Sequence, residues 1–253
     1  MDRHSLILEV ARTRGRVMVD ELVEELGVSA HTIRRDINTL CEQAKLRRLH
    51  GGAEFIEREA NLSYGDRRIL NVDAKKSIAT AVAALIPDGA TIAFSIGTTP
   101  VVVASALSEH EGLTFLTNNL NVAMAASESR FHRVIVPAGE VRLPDQDILG
   151  TSAEDMFASY RADFGIFGVA GVDDDGTLLD FHVEEVRIRQ AIRAHARQAI
   201  LVLDVSKFGR RAPAVGGLLT DADQIVTDTR PDAPFAGLLD PLKDRVIIAG
   251  DTR

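Results

Sequence analysis

The chain has 253 residues, 45% hydrophobic and 26% charged, with a formal net charge of −8. That is length enough for two domains of unequal size, and a globular composition rather than a disordered or fibrous one. The single cysteine, Cys41, excludes an intramolecular disulfide framework; MDRHSLILEVARTRGR is not organised as a signal peptide, and no apolar run approaches the roughly 20 residues of a membrane span. A soluble cytoplasmic protein with no membrane partner is expected.

Residues 3–14 place Ile7, Val10 and Ala11 at helical spacing, and Gly15 ends that helix. A second helix, 20–26, sets Leu22, Val23 and Leu26 on one side, with Gly27 where a left-handed cap is wanted. Val28-Ser29 turns the chain, and Ser29 can cap a third helix, 30–43, whose buried stripe is Ile33, Ile37 and Leu40. KLRRLHGGAEF then alternates as a hairpin turning at Gly51-Gly52. This order reads as a winged helix-turn-helix over residues 1–56.

Charge supports that reading locally. Residues 1–56 hold nine basic and nine acidic side chains, so the remainder carries the whole net −8. Between Ala30 and His50 lie Arg34, Arg35, Lys45, Arg47 and Arg48 against only Asp36 and Glu42. Phosphate feels local charge, because screening confines the interaction to about 10 Å at moderate salt. The second helix of such a pair enters the major groove. With its apolar stripe inward, His31, Thr32, Arg34, Arg35 and Asn38 point out, beside Ser29 at the cap and Arg47, Arg48 and His50 on the wing. These nine residues are the candidate contacts to double-stranded DNA. The competing reading pairs Arg34 and Arg35 with Asp36 or Glu42 on the helix surface, where such pairs are worth little.

Residues 57–72 are polar and aperiodic and read as a linker. A helix at 73–86 opens the last domain, 73–253. Strands are predicted at 91–94, 113–116, 133–137, 164–170, 199–204, 224–228 and 245–249, and helices near 99–109, 119–127, 150–159, 182–195 and 231–239. Continuously apolar strands alternating with helices predict an α/β, mostly parallel sheet covered on both faces.

Polar or Gly-rich loops follow four of those strands: SIGTTP (95–100), TNN (117–119), GVAGVDDDG (168–176) and DVSKFGR (204–210). Such loops gather at the carboxyl edge, where open α/β sheets bind ligands. A helix opening at Gly97-Thr98-Thr99 offers free N–H groups and hydroxyls to a phosphate, and Lys207 adds a point charge. Asp173, Asp174, Asp175, Asp180, Glu184 and Glu185 also collect there; DDDG alone is a solvated turn, and one or two of the others suit polyol hydroxyls. The seven histidines lack zinc-ligand spacing, so neither metal nor cofactor is expected.

VDELVEELGVSAHTIRRDINTLCEQAKLRRLHGGA, GTTP, LTNNLNVA, RADFGIFGVAGVDDDGTLLDFHVEEVR and DVSKFGR together resemble the DeoR family over essentially the whole chain. The resemblance implies a sensor domain related to ribose-phosphate isomerase and a homo-oligomeric repressor, dimer or tetramer, on operator DNA. The last four motifs imply a phosphorylated effector, sn-glycerol 3-phosphate, and control of glycerol uptake and catabolism. By position, Gly97, Thr98 and Thr99 would hold the phosphate with Lys207, and Asn118, Asp173 and Glu185 would lie near the hydroxyls. Ser95 stands where the family commonly shows Asp, which leaves a different sugar or polyol phosphate as the alternative effector. An isomerase would use Glu185 as base with a lysine between it and the acidic loop; VDDDGTLLDFHVEE has none, so no enzymatic activity is expected. A DNA-binding adaptor whose second domain only oligomerises is the third reading.

Overall fold

The computed structural model describes residues 2–42, 45–55, 61–128 and 132–250, with the Glu42 side chain excluded. The expected end of the third helix at Gln43 and residues 56–60, where the first domain was expected to pass into the linker, lie outside them. Two compact units result, Met1–Val72 and Asp73–Arg253.

In the first unit the elements run α1 (Arg3–Arg14), β1 (Arg16–Met18), α2 (Val19–Leu26), α3 (Ala30–Glu42), β2 (Leu46–Leu49), β3 (Gly52–Phe55) and α4 (Tyr64–Ile69). Gly27 closes α2 in the left-handed conformation, its N–H donating to Val23 O. Ser29 Oγ accepts from Thr32 N–H at 3.2 Å at the start of α3. Ile7, Leu22, Ile33, Ile37, Leu40 and Leu46 are fully buried in one core, so α1, α2, α3 and the hairpin fold around a single apolar centre. Two elements depart from the sequence expectation. β1 adds a third strand, antiparallel to β3 through Arg16↔Glu54 and Met18↔Gly52; three residues are too short to display a period. The region read as linker contains α4, capped by Ser63, with Tyr64 buried. Six residues span under two turns, so this helix rests on its cap and burial rather than on periodicity.

The second unit opens with α5 (Val72–Ala83) and alternates β4 (Thr91–Phe94), α6 (Thr98–Ala106), β5 (Thr114–Thr117), α7 (Leu120–Ala126), β6 (Arg133–Ile135), α8 (Thr151–Ala158) and β7 (Ala162–Phe167). A hairpin, β8 (Gly171–Val172) and β9 (Thr177–Asp180), precedes α9 (Val183–His195) and β10 (Ala196–Val202). β11 (Ala214–Leu218), β12 (Gln224–Thr227), α10 (Ala236–Leu239) and β13 (Val246–Ile248) complete it. The main sheet has seven strands in the order β13-β12-β10-β7-β4-β5-β6, and all its pairings are parallel. Side-chain alternation divides its core in two. Ile92, Phe94, Phe115, Ile200 and Val202 join the cluster with α5 and α6, whereas Ala93 and Leu116, and likewise Ala199 and Leu201, face the opposite layer. Period two with both faces apolar is the signature of a strand covered by helices on each side. The sequence did not indicate the second, three-stranded antiparallel sheet, β11-β9-β8. Its β8 lies inside GVAGVDDDG, where two strand residues between glycines and aspartates look like loop.

Candidate functional site

On the first unit, α3 presents His31, Arg34, Arg35 and Asn38 to solvent, while Thr32 is half-buried with its hydroxyl against Ser29. Arg34 and Arg35 make no ion pair among the described residues. Asp36, the proposed surface partner, is buried instead: His4 Nε2 lies 3.1 Å from Oδ1, and Arg3 donates from Nε and Nη2. The hydrogen bond from Arg3 holds the Asp36 carboxyl below its ordinary range, with His4 assisting against burial. The two wing arginines separate. Arg48 and His50 are exposed, and Arg48 Nη1 donates to Asn38 Oδ1, tying wing to recognition helix. Arg47 turns the other way, to Glu54 across the hairpin and to Asp66 of α4 at 3.4 Å. Arg47 therefore braces the wing, in contrast to the outward orientation expected from sequence.

On the second unit, the strand ends bring most of the candidate ligand residues together. Gly97, at φ 115°, begins α6 without a side-chain cap; that backbone conformation favours glycine, and Thr98 and Thr99, both buried, form the first turn. Unfilled N–H groups at a helix start carry partial positive charge. Ser95 is buried, and its Oγ accepts from Gly168 N–H at 3.3 Å, linking the ends of β4 and β7. Asn119 Nδ2 donates to Gly97 O at 3.1 Å. Asn118 Nδ2 donates to Ile148 O at 2.9 Å, while its fully buried Oδ1 has no partner among the described residues. Lys207 lies in the 3-10 turn Val205–Lys207 after β10. That loop packs against β8 so closely that a Cβ on Gly171 would approach Arg210 O to 1.9 Å, which explains the glycine.

Asp173 takes part in a local turn. It is exposed at the turn of the β8–β9 hairpin, its Oδ1 accepting from Asp174 N–H and its own N–H bonded to Thr177 O. Asp180 ends β9 three residues further on, roughly 10 Å away along a strand, and it too is committed. Its Oδ2 accepts from Arg189 Nη2 at 2.7 Å and its Oδ1 from Ala170 N–H at 3.1 Å. Of the acidic run, Glu185 alone is both buried and held by the edge, accepting at Oε1 from Arg142 Nη2 at 2.8 Å.

Residues 3–59 match the DeoR-like helix-turn-helix domain and residues 70–229 the DeoR C terminal sensor domain. The chain belongs to the DeoR family. The glycerol-3-phosphate regulon repressor of Escherichia coli (strain K12) is 43% identical over 229 residues, covering 90% of this chain and 91% of that protein. The Haemophilus influenzae protein of the same name is 39% identical over 243 residues, covering 96% and 93%. Among solved structures, ribose 5-phosphate isomerase A from Methanocaldococcus jannaschii covers 56% of each chain at 16% identity and a TM-score of 0.41.

The DeoR-family motifs do not single out Arg142. It lies in the irregular segment 136–150 after β6, where nothing periodic marks it. Only its position beside Glu185 gives it meaning, and the available signal was the acidic company in RLPDQD (142–147). Arg142 pairs doubly with Asp147, Nε to Oδ1 at 2.9 Å and Nη2 to Oδ2 at 2.7 Å. Burial opposes its charge, but the hydrogen bonds to Asp147 and Glu185 outweigh that and hold the guanidinium above its ordinary pKa. Among the described residues no cluster of His, Cys, Asp and Glu could hold a metal ion, and no helix is long and apolar enough to cross a membrane.

Proposed function

We propose that this DeoR-family protein is a DNA-binding transcriptional repressor of glycerol and glycerol 3-phosphate catabolism, released from its operator by sn-glycerol 3-phosphate. The observation that carries the effector class is the pairing of two unlike surfaces at one sheet edge. The uncapped start of α6 with buried Thr98 and Thr99 suits a phosphate. Through Asn119 on Gly97 it joins the segment that holds Arg142, Asp147 and Glu185, which suits hydroxyl groups. A polyol phosphate has one of each. Identity over nearly the full length of two glycerol-3-phosphate regulon repressors supports the narrower choice.

In this reading Gly97, Thr98, Thr99 and Lys207 hold the phosphate, and Asn118 and Glu185 the polyol end. His31, Arg34, Arg35, Asn38, Arg48 and His50 face the DNA, Ser29 and Thr32 set the start of the recognition helix, and the protein acts as a homo-oligomer. The effector releases DNA only by its differential affinity for the free and operator-bound states. Sensing rather than turnover is supported by VDDDGTLLDFHVEE, which lacks the lysine an isomerase would place between its acidic loop and Glu185. A different sugar or polyol phosphate is favoured by one feature, Ser95. Its short hydroxyl bonds Gly168 N–H and Ile96 O, leaving a neutral group where an acidic one would reach a ligand.

Calorimetric titration of the full chain with sn-glycerol 3-phosphate, glycerol, ribose 5-phosphate and fructose 1-phosphate tests the reading. Saturable binding of the first alone is expected. Binding of another phosphate instead would transfer the assignment to that effector, and silence from all four would overturn the sensor reading.

A further inference from the structure

Arg142 lies within reach of three carboxylates. Asp147, at 0% side-chain exposure, takes two of its hydrogen bonds, Glu185 at 9% takes a third, and Asp145 Oδ2 lies 3.4 Å from Nη2. Acceptor capacity remains: Arg142 bonds only Oε1 of Glu185, and Asn118 Oδ1 is buried with no partner among the described residues. Asn118 and Asp147 adjoin, because Ile148 N–H donates to Asn118 O and Asn119 bridges Asp147. A lining with spare acceptors calls for donors such as hydroxyl groups.

Asp147 orients Arg142, and Arg142 orients Glu185. We propose that Arg142 is a positioning residue that sets effector specificity: it fixes Glu185 with one oxygen turned to the ligand, and so makes the site prefer a phosphate ester bearing hydroxyls over one without them. This rests on the polyol-phosphate reading above. Arginine is required because its planar fork spans Asp147 bidentately and still reaches Glu185, which an ammonium cannot do.

The test compares sn-glycerol 3-phosphate with propyl phosphate, the same chain without its two hydroxyls, by calorimetry on the full-length protein and on Arg142→Ala, Arg142→Lys and Glu185→Gln. Wild type is expected to favour glycerol 3-phosphate by about tenfold or more, since a hydrogen bond to a charged group is worth that much. In Arg142→Ala the ratio falls toward one while the propyl phosphate Kd stays within about twofold; Glu185→Gln lowers the ratio likewise, and Arg142→Lys recovers it only in part. Should Arg142→Ala fail to fold by circular dichroism, the Lys and Gln variants decide. A retained ratio in the variants, or equal loss of both ligands, would overturn the proposal. Equal binding of both ligands by wild type would overturn it while the phosphate reading stands; binding of neither would remove that reading and this inference with it.

Discussion

Asp36 shows how one side chain sorts the basic residues around it. On the recognition helix yet buried, it binds Arg3 and His4, and Arg34 and Arg35, turned to solvent, meet no carboxylate among the described residues. Arg35→Ala is expected to weaken operator binding by about 1–3 kcal/mol if it reads a base, or to lower the salt slope by about one if it holds a phosphate. Fluorescence anisotropy across a salt series distinguishes the two, and an unchanged affinity at every salt would remove Arg35 from the interface. Asp36 itself carries a pH signature. Its folded pKa is depressed by Arg3, so its contribution is present above the unfolded value near about 3.9 and is lost as pH falls through the folded value. Arg3 and His4 are partly exposed, so the size is modest, about 1 kcal/mol. Urea unfolding at pH 7 and pH 3 should show Asp36→Asn less stable than wild type at the first and nearly equal at the second. At the ligand edge, Lys207→Ala should weaken effector affinity about tenfold, as loss of one charge-assisted hydrogen bond does; an unchanged calorimetric Kd would remove Lys207 from the phosphate site.

Among elements, α9 joins the ligand edge to the small antiparallel sheet. Its first turn offers Glu185 to Arg142, and one helical face further along Arg189 bonds Asp180 of β9 and Gly216 O of β11 at 2.7 Å each. The small antiparallel sheet is therefore held to α9 by a buried ion pair. Arg189→Met should cost roughly 3–5 kcal/mol, because Asp180 would stay buried without its partner, whereas Asp180→Leu with Arg189→Met should recover much of that. Chemical unfolding of the second unit in the full chain checks this; a double variant no better than the single would refute it. The same elements show what the sequence could reveal. All strands of the main sheet were legible because each is a continuous apolar run, and α1, α2 and α3 because Ile7, Leu22, Ile33 and Ile37 repeat at helical spacing. β1, β8 and α4 were not, since each is too short for a period and depends on partners distant in sequence. The site divides in the same way. Gly97, Thr98, Thr99 and Asn118 could be placed because loops after parallel strands share an edge. Asp173 is exposed in a turn that its own carboxylate caps, and a carboxylate in DDDG reads alike in sequence whether it caps its own turn or meets a ligand. Arg142 and the inward turn of Arg47 emerge only when Glu185 and Glu54 are seen across from them.

For the molecule as a whole, charge separates two tasks. The acidic surplus lies entirely after residue 56, and the first 56 residues are neutral, with Arg34, Arg35 and Arg48 on the recognition helix and wing. Contact with DNA should be local and steeply salt-dependent, while the acidic second unit discourages loose adhesion. The two tasks meet in the proposed coupling, in which a polyol phosphate bound at the sheet edge loosens operator binding. Linkage makes the coupling reciprocal, so operator DNA must weaken effector binding by the same factor. The most direct measurement is anisotropy of the full-length protein on a labelled duplex that it selects from a random library, at fixed salt, titrated with sn-glycerol 3-phosphate or with glycerol. Apparent operator affinity should fall about tenfold or more at saturating glycerol 3-phosphate and stay constant with glycerol. Unchanged operator affinity while glycerol 3-phosphate binds calorimetrically would contradict the account.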